Sequence, residues 1–180
     1  MKALKKGTVI AAVRTDEDFD LALKSKAPVI FDLSPDLLTV DYKVRAAHHV
    51  GKKLLIHMDL ATGIGKDRSG ILYMKDAGID GIISTRVSII KLAREEKIFT
   101  VQRFFIVDSQ SVDTTVEAIK TAKPDMIEVM PGIASKTIKK LYEKLDIPII
   151  AGGLIETSEE IAVALANGAA AVSTGEETLW

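Results

Sequence analysis

Eight short apolar runs rich in β-branched residues recur along this chain about every 22 residues, each followed by a segment of helical pattern. They are TVIAAV (8–13), PVIFDL (28–33), KLLIHMDL (53–60), GIIS (81–84), FTVQRFFIV (99–107), MIEVM (126–130), PIIAG (148–152) and AAVST (170–174). Amphipathic stretches such as DEDFDLALK, VSIIKLAREEK, ASKTIKKLYEKL and TSEEIAVALANG lie between them. Several open on Ser, Thr or Asp. Ser158, followed by Glu159 and Glu160, reads as an N-cap with acids at the positive end of the helix dipole. Strands alternating with helices require a parallel sheet covered by helices. Eight is the number that closes a barrel. The expected fold is therefore α/β, a compact single-domain TIM-like (β/α)8 barrel over residues 1–180, with a doubly wound open sheet as the alternative.

The totals agree. A chain of 180 residues that is 47% hydrophobic can bury one core. Its net charge of −1 gives no sign of a nucleic-acid or membrane partner. No apolar stretch is long enough for a membrane helix. The basic start MKALKKGTVIAAV lacks the apolar length of a signal peptide. The absence of cysteine excludes disulfides, thiolate metal sites and a cysteine nucleophile. A cytoplasmic protein with no membrane partner is the reading.

Ligands of such folds bind beyond the carboxyl ends of the strands. Those ends read Asp32, then His57 and Asp59, then Ser84-Thr85-Arg86, Asp108, Glu128, Gly152-Gly153 and Ser173-Thr174-Gly175. They are polar and glycine-rich where the strand bodies are apolar. Gly152 and Gly153 after the seventh strand, with Ser173, Thr174 and Gly175 after the eighth, occupy the two loops that hold phosphate in many barrels. Glycine lets backbone amides approach a phosphate oxygen and the hydroxyls can donate as well; tight turns are the bland alternative. His57 and Asp59, two apart in one strand, share a face and fit hydroxyl binding or acid–base work, or else form a structural pair. Arg103 and Glu128, charged within strands, are expected to pair and line the barrel. Lys66 is a candidate mobile cation, Asp108 a candidate helix cap, and His48 and His49 surface residues. GIGKD is too short for a phosphate-binding P-loop, and no metal site or cofactor is expected.

The motifs GKKLLIHMDLATGIG, GIISTR, VQRFFIVDS, PDMIEVMPG, PIIAGGLI and AVSTGEETLW, in this order from about Gly51 to Trp180, resemble the glycerol-3-phosphate-responsive antiterminator family. Gly175 stands where serine is common in that family, and the first 50 residues fit more loosely. The resemblance implies a TIM-like barrel that senses glycerol 3-phosphate and acts on leader mRNA, so that transcription passes a terminator and glycerol genes are expressed. It implies no catalysis. It places the ligand among His57, Asp59, Arg103, Glu128, Gly152, Gly153, Ser173, Thr174 and Gly175.

Two other functions compete with this ligand-gated regulator: an isomerase- or lyase-type barrel enzyme for a small phosphorylated substrate, and a sensor of phosphate esters that signals through a protein. A near-neutral chain would need a local basic patch for RNA, which a homo-oligomer would help to assemble. The lysine pairs Lys5-Lys6, Lys52-Lys53 and Lys139-Lys140 read as solvated surface.

Overall fold

The computed structural model describes residues 4–180; the first three residues of the basic N-terminal segment lie outside the described residues. Eight parallel strands close on themselves in the order β1-β2-β3-β4-β5-β6-β7-β8. They are β1 (Thr8–Val13), β2 (Val29–Asp32), β3 (Lys53–His57), β4 (Gly81–Ser84), β5 (Phe99–Phe105), β6 (Met126–Met130), β7 (Ile149–Gly152) and β8 (Ala171–Thr174). The open-sheet alternative is excluded because β1 pairs with β8 as well as with β2.

The outer layer holds α1 (Asp16–Lys24), α2 (Val40–His49), α3 (Arg68–Asp76), α4 (Val87–Glu95), α5 (Ser109–Ala122), α6 (Ser135–Lys144) and α7 (Ser158–Ala166). An eighth α-helix is absent among the described residues. A short 3-10 turn, Glu177–Leu179, follows β8 instead. It ends in Trp180, whose indole N–H donates to the Thr174 carbonyl at 2.9 Å and whose ring packs on the outer core.

Period-2 alternation divides each strand between two cores. Ile10, Phe31, Leu55, Ile83, Val101, Met126 and Ile150 point inward and fill the barrel. Their neighbours Ala11, Ile30, Ile56, Ile82, Ile127 and Ile149 point outward and bury the helices' apolar stripes. Each of these side chains larger than alanine contributes about 1.5–3 kcal/mol when fully buried.

Helix starts follow side-chain chemistry. Thr15 and Thr157 each cap a helix through a reciprocal capping box, with Asp18 and Glu160 respectively. The cap of α7 is thus Thr157 and not Ser158, because the reach back from Glu160 fixes the register one residue earlier. Asp108 caps α5, accepting from the Ser111 amide at 2.8 Å. No helix among the described residues is long and apolar enough to cross a membrane.

Candidate functional site at the barrel mouth

The parallel register sets Arg103 of β5 directly beside Glu128 of β6. Both continue the inward rows begun by Val101 and Met126, so both project into the C-terminal mouth above the apolar filling. Arg103 Nε donates to Glu128 Oε2 at 2.5 Å, and Ser173 Oγ donates to Glu128 Oε1 at 2.6 Å. Exposure is 6% for Arg103 and 1% for Glu128. A carboxylate this deep is tolerated only because each oxygen has a donor. The Arg103 Nη groups form no hydrogen bond among the described residues, and Arg103 lines a cavity at the mouth.

That cavity, about 150 Å³, is walled by Arg14, Arg103, Glu128, Gly153, Ser173 and Gly175, with Ala12, Leu33, Met130, Leu154 and Thr174 completing it. Among the described residues, the amides of Gly153, Leu154 and Gly175 donate no hydrogen bond. Gly153 has φ +75°, which side-chain-bearing residues rarely adopt. Gly152 does different work. A Cβ there would lie 2.5 Å from Glu128 Oε1 and 2.6 Å from Ser173 Oγ, so the missing side chain is what lets Ser173 reach the carboxylate. Gly175 is open, its nearest neighbour a carbonyl 3.7 Å from a built Cβ.

The expected hydroxyl donors are engaged within the protein. Ser173 gives its proton to Glu128, and Thr174 Oγ1 donates to the Ile155 carbonyl at 2.6 Å while accepting the Glu176 amide. Free donors toward an anion are therefore the backbone amides and the guanidinium.

His57 and Asp59 do not share a strand face. β3 ends at His57, and Met58–Leu60 form a 3-10 turn. The turn sends the Asp59 carboxylate to the loop after β4. There it accepts from Ser84 Oγ (2.7 Å), the Thr85 amide (2.7 Å) and Thr85 Oγ1 (2.9 Å), with Arg86 Nε at 3.7 Å. Burial alone would raise the Asp59 pKa, yet these donors hold it below the usual value. Leu60, the last residue of that turn, is exposed. His57 does point into the barrel mouth, 4% exposed, with Nδ1 buried and unpartnered. Burial and the nearby Arg103 cation lower its pKa to about 4 against the pull of Asp59 and Glu128, so the ring is neutral at pH 7. Neither residue walls the cavity.

The remaining candidates are structural. Asp32 turns outward and accepts from the buried Lys43 of α2 at 3.3 Å. Lys66 is not mobile: its ammonium donates to the carbonyls of Ala61 and Ile64 in its own loop. His48 and His49 are exposed on α2, and His48 Nε2 pairs with Asp80 at 2.8 Å. Sequence reasoning misses Arg14, just past β1, and the available signal is a cation immediately after an apolar strand. No three His, Asp or Glu side chains converge as a metal site among the described residues.

Comparison with known proteins places the fold and the family. Solved aldolases at 14–15% identity share the barrel, with TM-scores of 0.75 and 0.73. The glycerol uptake operon antiterminator regulatory protein of Listeria monocytogenes is 37% identical, with a TM-score of 0.91 over 96% of this chain and 94% of that one. The antiterminator-related protein of Thermotoga maritima is 33% identical, with a TM-score of 0.87 over 98% and 99%. The uncharacterized protein YgcP of Escherichia coli is 35% identical over 98% of this chain and 93% of its own. The sequence profile described as glycerol-3-phosphate responsive antiterminator matches residues 9–180. A match over nearly the whole chain, on a barrel that superimposes on two solved antiterminator-type proteins, means that this chain belongs to the glycerol-3-phosphate responsive antiterminator family.

Proposed function

We propose that the protein senses glycerol 3-phosphate in the cavity at the barrel mouth and, in its bound form, acts in the cytoplasm on the leader mRNA of glycerol-utilisation operons as an antiterminator. The observation that carries the ligand reading is the Arg103 guanidinium, anchored by Glu128 through Nε with its Nη groups unbonded, lining one cavity with Gly153 and Gly175, whose amides donate no hydrogen bond. A fixed guanidinium and unspent backbone amides in one cavity suit a phosphate dianion. At about 150 Å³ the cavity is well below drug-sized sites, as a three-carbon phosphate ester requires. Arg14 supplies a second cation at the rim. The effector is the only small molecule the reading calls for.

The enzyme alternative finds less support in the same geometry. No lysine walls the cavity for Schiff-base chemistry. Both Glu128 oxygens are engaged. His57 Nδ1 is the atom that keeps acid–base catalysis the second reading. Calorimetric titration with sn-glycerol 3-phosphate, against glycerol and inorganic phosphate, is the test. Selective binding supports the sensor; no heat from the ester refutes it. Consumption of the ester, followed by phosphorus NMR, would favour the enzyme.

A further inference from the structure

Charge is segregated among the helices. α1 carries Asp16, Glu17, Asp18 and Asp20 against Lys24 alone, and α7 opens on Glu159 and Glu160. α6 is the reverse, with Lys136, Lys139, Lys140 and Lys144 against Glu143 alone in a chain of net charge −1. Helical spacing gathers these four lysines on the arc opposite the buried Ile138 and Leu141, and all four are exposed. Lys144 lies 3.5 Å from Asp113; among the described residues the other three form no ion pair. Lys136 stands in the first turn of a helix that has neither a side-chain cap nor an acid there. A cation at that end opposes the helix dipole, so helix stability does not explain it.

Lys136 and Lys140 also form one side of a groove of about 290 Å³ between α5 and α6. Across it lie Ile106, Val107 and Val112, and Val107 is 85% exposed. Asp108, the one carboxylate in the groove, is turned to the Ser111 amide and hydroxyl. Cations beside an exposed apolar side chain, Val107, set against the partly buried Ile106 and buried Val112, match a chain that offers phosphates and bare bases together. Single-stranded RNA does so, whereas the bases of a duplex are stacked away. A flat anionic surface would not need the recess.

We infer that the lysine face of α6 and the groove at Val107 hold single-stranded RNA, with backbone phosphates on Lys136, Lys139 and Lys140 and an unstacked base over Val107. This rests on the reading of the protein as an RNA-acting regulator and names the face that reading leaves open. The face is fastened to the ligand site. The loop that launches α6 donates from the Gly132 amide to the carbonyls of Gly152 (2.6 Å) and Gly153 (3.0 Å).

The test is fluorescence anisotropy of a labelled single-stranded transcript of the source genome's glycerol-operon leader, with saturating sn-glycerol 3-phosphate, across a salt series. The variant Lys136→Gln/Lys139→Gln/Lys140→Gln should weaken binding by roughly tenfold or more and lower the slope of log K against log salt by about 2, the value for three single-strand phosphate contacts. Lys24→Gln/Lys26→Gln/Lys91→Gln removes the same charge from other faces and should leave the slope unchanged. Calorimetry with glycerol 3-phosphate should give wild-type affinity for both, showing intact barrels. If wild type binds RNA and the α6 variant keeps its slope, or both triple variants weaken alike, the assignment to α6 is overturned while the regulator reading stands. If wild type binds no leader RNA at any salt, both fall.

Discussion

Replacing Arg103 by methionine keeps an unbranched apolar stem and removes the cation from a pair whose members are 6% and 1% exposed. Glu128 would then keep only the Ser173 hydroxyl as a donor in the described structure. Stranding a buried charge in this way costs about 3–5 kcal/mol, far above the roughly 0–1 kcal/mol of an exposed ion pair. In a domain of this size each kcal/mol moves Tm by about 2–4 °C, so the expected loss is roughly 6–20 °C. The second change Glu128→Gln removes the stranded charge and retains an oxygen for Ser173, so the double variant should recover most of the loss. Urea denaturation with an unchanged m-value, together with thermal melts, measures the cycle. Glycerol 3-phosphate binding should be lost in single and double variants alike, because neither has the guanidinium. A single variant costing less than about 1 kcal/mol, or a double no more stable than the single, would refute the buried-pair argument. Ligand binding retained by a stable double would remove Arg103 from the site.

The histidine at the mouth predicts a pH dependence. His57 has its ordinary pKa of 6.5 when unfolded and about 4 when folded, so between these values the unfolded chain binds more protons. Its contribution is therefore complete above about pH 6.5 and lost as pH falls toward about 4, on the order of 3 kcal/mol in all. His57→Gln should flatten that stretch of the stability profile; an unchanged slope there would show that His57 does not cause it. The glycines should separate by role. Gly152→Ala drives a methyl into Glu128 and Ser173 and should cost about 1–3 kcal/mol, whereas Gly175→Ser enters open space and should stay within about 0.5 kcal/mol of wild type. Equal melting temperatures for these two variants would refute the contrast.

Much of this protein was written in local pattern. Eight β-branched runs at an even interval, each followed by an amphipathic segment, imply strands, helices and a parallel sheet because side-chain periodicity is a property of the chain itself. Arg103 and Glu128 announced their pairing for a similar reason: charges within apolar strands must find each other. Asp108 stood among the strand-end polar residues as a candidate cap, and the Ser111 amide decides for that role. Other features depended on how the chain turns once a strand ends. A 3-10 turn after His57 carries Asp59 away to Ser84 and Thr85, and period-2 reasoning fails where the strand stops. Ser173 and Thr174 are adjacent, yet one faces the carboxylate inside and the other fastens the Ile155 loop outside. Lys66 looked free until its loop folded back on its ammonium. The role of Gly152 exists only because Glu128 and Ser173, far apart in sequence, converge on the space a side chain would have filled. The sequence by itself determined the barrel's strands and the Arg103–Glu128 pair, since periodicity and desolvation act residue by residue, whereas Lys52, read as solvated surface, is buried with its ammonium on the Ser25 and Ala27 carbonyls. The tertiary structure alone decided which polar groups remain free at the mouth, since a hydrogen-bond donor is free or spent according to neighbours that the linear chain does not specify.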